Sequence, residues 1–297
     1  MMDTKLLSLL RVTETGSYTR AAESLSLTQP AVSQHIRQLE TEYGFKLLER
    51  SHNKFCLTPK GELLVKYARR IQAMYARMEQ AMRSDREELR ALTIGITHTA
   101  ESSAIIEALA VYVQQFDDLS LKIITNTSDN LYGMLKNYEL DFAFVEGRYD
   151  DDSLRYLTLD TDRLVLVVPP DHALAEAVTV SVNQLKKERL ILRLPNSNTR
   201  NLFSASLESQ NLSVADFNVI MEIDSVATIK DLVRRGFGVS VLAHSACLEE
   251  LRKGELAALT VEGLSMMRQI HLVCRRDYEY GELLDGIAKQ YNLMQRL

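Results

Sequence analysis

Only three cysteines occur in the 297 residues, Cys56, Cys247 and Cys274, and none forms a CxxC pair. That spacing excludes a cysteine-based zinc or dithiol redox site and reads as three reduced thiols. No run of about 18 uninterrupted apolar residues is present, and no basic N-terminal segment leads into one, so neither membrane spanning nor export is expected. The expected location is the cytoplasm. Also missing are GxxxxGK[ST], GxSxG and HExxH, and no GxGxxG follows the first C-terminal strand, while the six histidines are dispersed. No catalytic residue, no metal and no cofactor is therefore expected.

What is present begins with enough apolar residue, 46% of the chain, to build two or three cores. The net charge is −5, but it is unevenly placed. Residues 1–90 carry 15 lysines and arginines against 11 acidic residues, and the remainder 20 against 29, so a head of +4 precedes a body of −9. That polarity suits a nucleic-acid-facing head.

The first 43 residues read as three short helices. Leu6, Leu7, Leu10 and Val12 give the first its apolar side, and Ser17 caps a second near Tyr18–Leu25. Thr28 caps a third from about Gln29 to Tyr43, with Pro30 in its first turn, where a missing N–H costs little. On that helix Val32, Ile36 and Leu39 share the inward side, leaving Ser33, Gln34, His35, Arg37 and Gln38 on or near the other. A polar turn at Arg50–Lys54 and a short strand at Phe55–Leu57 form a wing.

From Pro59 to about Arg90 proline does not recur and Gly61 is the sole glycine. Leu63, Leu64, Tyr67, Ile71, Met74, Met78 and Met82 mark an apolar stripe with no domain of its own to cover it. A homodimer through the residue 60–85 helix follows. Beyond Ala91, strands alternate with helices, which predicts a mostly parallel sheet with crossover helices. Strands are expected at Thr93–Ile96, Leu121–Thr125, Asp141–Glu146, Leu164–Val168, Leu190–Leu192, Val219–Ile223, Val239–Leu242 and Gln269–Cys274. Helices are expected at Glu101–Phe116, Asn130–Tyr138 and Tyr280–Gln295.

The segment from Ala21 to Glu40, AAESLSLTQPAVSQHIRQLE, continued by Leu47-Leu48-Glu49-Arg50 and Leu57-Thr58-Pro59-Lys60-Gly61, resembles the LysR-type transcriptional regulators over roughly residues 3–65. The small pair Ala21 and Ala22 lets two helices cross closely, as helix-turn-helix geometry requires. The resemblance implies an N-terminal all-α winged helix-turn-helix (1–58), a long linker and dimerisation helix (59–90), and a C-terminal α/β domain (91–297) of two lobes like periplasmic binding proteins. It implies lobe one as 91–161 plus 267–297 and lobe two as 162–266, with crossings at Asp160–Arg163 and near Gly263–Met267. Thr28, Gln29, Pro30, Ser33, Gln34 and Arg37 would then face double-stranded promoter or operator DNA at two half-sites. Arg50 would reach the backbone from the wing. Asn53 departs from a position that is often basic in the family, and Lys54 substitutes. The resemblance favours a tetramer built from dimers, with RNA polymerase a candidate partner.

Two strand-to-helix loops face each other in such a fold. Ile94–Ala100 carries Thr97, His98 and Thr99, and Ile191–Arg200 carries Ser197, Asn198 and Thr199 in an R-x-P-x-S-x-T-R pattern. Free N–H groups, hydroxyls and the helix dipole make each loop a candidate anion cradle, so a small anionic effector is expected there, with Ser128 and Glu146 nearby. Arg148 and Arg193 either line the cleft or form surface pairs, Asp224-Ser225 reads as a helix cap, and His172 as ordering a surface turn. Two rivals stand beside a regulator. One is an enzyme on the two-lobed domain, which turnover of a bound ligand would reveal. The other is an architectural DNA binder, which would show equal affinity for specific and random DNA.

Overall fold

The computed structural model describes residues 2–51, 54–83, 91–101, 104–116, 119–148, 151–278 and 281–294. Two compact units part near residue 90, the short stretch Lys136–Glu139 grouping with the first.

The first unit holds α1 (Thr4–Thr15), α2 (Tyr18–Ser24), α3 (Gln29–Tyr43), β1 (Leu48–Ser51), β2 (Lys54–Leu57) and α4 (Pro59–Arg83). Local chemistry sets these bounds. Asp3, Ser17 and Thr28 each accept a backbone N–H of the following first turn, from Lys5, Arg20 and Ala31. Gly44 ends α3 at φ 73, a left-handed conformation that a side chain would disfavour. Leu9, Leu10, Ile36, Leu39 and Leu47 form one core, and Val12, Ala21, Ala22 and Val32 another. Ala21 and Ala22 are buried, as expected of residues that let helices approach. The wing is an antiparallel pair with Arg50 opposite Phe55, whose ring meets Tyr18 edge-on at 4.9 Å. Its tip, including Asn53, lies outside the described residues, as do the Arg50 and Lys54 side chains.

The linker helix departs from its expected single-sided exposure. Val65 and Ala68 are buried with the α1 and α3 core, and Leu64 packs against it, so part of this helix does have a domain of its own. Leu63, Tyr67, Ile71, Met74, Met78 and Met82 remain exposed, at intervals of three and four residues along a separate face. Thr58 fixes the start of α4, donating its hydroxyl to the Lys46 carbonyl at 2.7 Å and accepting the Gly61 N–H at 3.0 Å.

The second unit runs β3 (Ala91–Ile96), α5 (His98–Glu101), α6 (Ile105–Val113), β4 (Ser120–Thr125), α7 (Ser128–Lys136), β5 (Phe142–Glu146), β6 (Leu154–Val168), β7 (Thr179–Val180), α8 (Val182–Leu185), β8 (Arg189–Arg193), α9 (Asn198–Glu208), β9 (Asn218–Ile223), α10 (Val226–Arg234), β10 (Ser240–Ala243), α11 (Leu248–Arg252), β11 (Ala257–Val261), β12 (Met267–Arg275) and α12 (Gly281–Met294). Of the helix expected over Glu101–Phe116, the described residues show α6 at Ile105–Val113, while Glu101 ends α5. The sheet is mixed rather than mostly parallel. β3 pairs parallel with β4 and β5, and β8 with β9, but β12 pairs antiparallel with β5 and β6, and β6 antiparallel with β10 and β11.

The reason is β6. A five-residue strand is expected at Leu164–Val168, yet the strand has fifteen residues and runs unbroken through Asp160–Arg163. Its first part pairs with β12, from Leu154 opposite Arg275 to Arg163 opposite Met267, and its last part with β10 and β11. A long antiparallel ribbon thereby joins the two lobes. One core of residues between Leu164 and Met266 fills the second lobe, and a cluster around Leu131, Leu135, Leu140, Val145 and Val273 the first.

At Gly61 an added Cβ would lie 2.1 Å from the Leu47 carbonyl oxygen, a backbone atom that cannot swing aside. Gly61→Ala is expected to destabilise the first unit by about 1–3 kcal/mol. Urea unfolding should show a lower midpoint at an unchanged slope; an unaltered midpoint would refute the close approach.

Candidate functional site

Helix α3 displays Thr28, Gln29, Pro30, Gln34 and Arg37 as exposed residues at its N-terminal half and outer side. Ser33 is half-buried rather than fully exposed. His35 belongs to the inner side, because its Nδ1 lies 2.8 Å from the Ser8 hydroxyl of α1. The outward surface is accordingly built of amide, hydroxyl and guanidinium groups, which can hydrogen-bond base edges or phosphates.

In the second unit, a cavity of about 160 Å3 lies where the loops after β3, β4, β8 and β9 meet. Thr97, His98, Thr99, Ser128, Glu146, Ser197 and Asn198, expected at the site, all line it. Thr199 does not. It is buried behind the wall, its hydroxyl oxygen 3.5 Å from that of Thr99 and 3.4 Å from Nη1 of Arg268, so it joins the lobes rather than facing the space. Asn198 also bridges the lobes, donating its amide to the Ser128 hydroxyl at 2.7 Å and to the Glu146 carbonyl at 3.1 Å.

Two helix starts, each with N–H groups that have no intrahelical acceptor, border the cavity. Ser197 caps α9, its oxygen accepting the Arg200 N–H at 3.2 Å while its hydroxyl donates to the Leu194 carbonyl at 2.9 Å. Thr127 and Asn126 organise the start of α7 and line the cavity beside Ser128. Arg193, for which cleft and surface were both open, is on the cavity wall and 2% exposed, its Nη2 donating to Asp224 at 3.0 Å. Burial pulls this guanidinium below its ordinary range, and Asp224 acts in the opposite direction. Asp224 is more than a helix cap. Ser225 caps α10, leaving the Asp224 carboxylate for Arg193 and for His98, 3.7 Å away. Arg148 instead lies over the Tyr156 ring at 5.3 Å, and His172 meets Glu188 at a surface turn.

Beneath the cavity lies a group of buried charges. Glu146 accepts the Thr97 hydroxyl at 2.7 Å and sits 3.9 Å from Arg268, whose Nη2 donates to Asp162 at 3.1 Å. Asp162 further accepts the backbone N–H and hydroxyl of Ser245 at 3.1 and 2.9 Å. Side-chain exposures of 4%, 5% and 3% for Glu146, Arg268 and Asp162 leave little water to screen these charges. Neither Asp162 nor Arg268 is singled out by motif. Arg268 does carry a signal: in β12 it shares the alternation phase of Ile270 and Leu272, placing a charge on a buried face. Among the described residues no group of three or more His, Cys, Asp or Glu is arranged to hold a metal, and no helix is long and apolar enough to cross a membrane.

Residues 85–285 match the family model described as LysR substrate binding domain, and residues 4–62 that of a bacterial regulatory helix-turn-helix protein, lysR family. The RuBisCO operon transcriptional regulator of Allochromatium vinosum is 31% identical, across 88% of this chain and 85% of that one. The HTH-type transcriptional regulator CysL of Bacillus subtilis is 26% identical, across 90% and 89%. In fold, a full-length OxyR variant from Pseudomonas aeruginosa superposes with a TM-score of 0.70 at 20% identity, covering 98% of this chain and 94% of that one. CbnR complexed with its target DNA gives 0.69 at 17% identity, covering 98% of both. These relatives are transcriptional regulators, not enzymes.

Removing Arg268 would leave two buried carboxylates unneutralised, so Arg268→Met is expected to cost about 3–5 kcal/mol in denaturant unfolding. Arg268→Lys should recover part of that loss; equal stability of Arg268→Met and the parent would exclude the buried pair. The thiols differ as sharply. Burial pushes Cys247 up to about 12 and raises Cys274, whereas Cys56 is exposed. With a colorimetric disulfide reagent at neutral pH, one thiol should react quickly and two only on unfolding; rapid reaction of three would contradict the burial.

Proposed function

We propose that this chain, which belongs to the LysR family of transcriptional regulators, reads operator DNA through Thr28, Gln29, Pro30, Ser33, Gln34 and Arg37, with Arg50 and Lys54 on the wing touching the backbone. The same reading assigns control to a small effector bearing an anionic group, held in the cavity between the lobes by Thr97, His98, Thr99, Ser128, Glu146, Ser197 and Asn198. The observation that carries it is the convergence of the α7 and α9 starts and the buried Arg193 on one polar cavity. Helix N-termini and a guanidinium favour negative charge.

The exposed stripe from Leu63 to Met82 supports dimerisation through a second copy of α4, and two such dimers would form the tetramer. A dimer presents two copies of α3 to two half-sites. Closure of the lobes on the effector then changes how dimers associate, and with it the spacing or bending of those half-sites. Contact with RNA polymerase belongs to this reading as well.

Arg37→Ala is expected to weaken binding to the operator about 5–150-fold without lowering the melting temperature, because Arg37 is exposed and a good base contact is worth ~1–3 kcal/mol. Fluorescence anisotropy with operator and random DNA at one salt concentration measures this. Equal affinity for the two DNAs in the unaltered protein would overturn sequence-specific reading. A footprint unchanged by a ligand that binds the cavity would overturn control by closure.

A further inference from the structure

We infer that the effector is a small zwitterion, an α-amino acid or a molecule of that charge pattern, with its ammonium at Glu146 and its carboxylate at Arg193 and the α9 start. This rests on the proposal that the effector occupies the cavity between the lobes, and it adds the positive half of the ligand.

Glu146 is 6% exposed and lines the cavity. One of its oxygens is taken by Thr97, but no donor among the described residues reaches the other, Oε2, although that atom is buried. A buried carboxylate oxygen without a donor is costly to leave so, and a ligand ammonium entering the cavity supplies one. On the same cavity wall Arg193 has the opposite deficit. Its Nη2 serves Asp224, while the buried Nε has no acceptor among the described residues. A ligand carboxylate supplies that acceptor, and the eleven-residue α9 directs its positive end at the same place.

Charge balance points the same way. Glu146 and Asp224 are negative and Arg193 positive among the lining residues, so a purely anionic ligand would add charge of the sign already in excess and leave Glu146 Oε2 unserved. A purely cationic one would leave Arg193 Nε unserved. Only a ligand with both groups completes both residues. The cavity volume of about 160 Å3 has room for on the order of ten water-sized groups, enough to hold an amino acid.

The full-length protein, unaltered, is titrated calorimetrically with four probe sets: the standard L-α-amino acids, the same carbon skeletons with hydrogen in place of the amine, the same with hydroxyl in its place, and the amines lacking a carboxylate. The expected result is that at least one amino acid binds at least tenfold more tightly than its three counterparts. Equal binding by the deaminated acid or the hydroxy acid overturns the ammonium assignment, equal binding by the amine overturns the carboxylate assignment, and no binding by any amino acid overturns both. Glu146→Gln should reduce the preference for amine over hydrogen to less than threefold; an undiminished preference overturns the role of Glu146. Should that variant not fold, the probe series on the unaltered protein decides alone. Hydrogen exchange with the bound amino acid separates the two proposals. Protection of residues 97–99, 126–128 and 194–198 is expected, whereas protection elsewhere refutes the cavity as the effector site even if zwitterions are preferred.

Discussion

A single guanidinium, that of Arg268, stands between two carboxylates in a part of the molecule almost closed to water, and the second unit is organised around it. Asp162 comes from β6, Glu146 from the end of β5 and Arg268 from β12, so the network sits where the antiparallel ribbon passes from one lobe to the other. Coulomb attraction at low local dielectric is strong, but so is the cost of desolvating each ion. The compensation is visible in the added donors: Ser245 serves Asp162, and Thr97 serves Glu146.

Because Glu146 belongs both to this network and to the cavity wall, whatever binds there acts on the charges that hold the lobes together. Thr99 and Thr199, which approach each other across the lobes, and Asn198, which reaches Ser128, extend the same linkage along the cavity edge. These are short polar contacts, individually weak compared with the buried ion pair.

The first unit follows a different constraint, the close crossing of short helices. Alanines at 21 and 22 permit it, and Gly61 permits the analogous approach of α4 to the Leu47 carbonyl. With α4 anchored by Val65 and Ala68, its second apolar face is left exposed from Leu63 onward. The helix thus serves its own domain with one side and leaves Leu63, Tyr67, Ile71, Met74, Met78 and Met82 exposed on the other.

Local rules account for what the amino-acid sequence settles by itself. Asp3, Ser17, Thr28 and Thr58 begin helices by offering oxygens to unpaired N–H groups. The bounds of α3 follow from Thr28, Pro30 and Gly44, and the dense motif between Ala21 and Gly61 identifies the family. Seven of the eight residues expected around an effector do line one cavity, because strand-end loops that start helices carry their polar groups to the same edge of such a sheet. Position relative to distant segments was not legible. Fifteen-residue β6 looks in sequence like a short strand because the four polar residues Asp160–Arg163 precede its one continuous apolar run, Leu164–Val168, and only pairing with β12, more than a hundred residues away, keeps the first part extended. Asp162, Arg268 and Asp224 carry no motif. Their partners lie between 31 and 126 residues away in the chain, and tertiary folding alone brings such charges together. The sequence determined the helix starts of the first unit and the family; the packing of the lobes decided which charges are buried, paired or left facing the cavity, since desolvation depends on neighbours that no local pattern specifies.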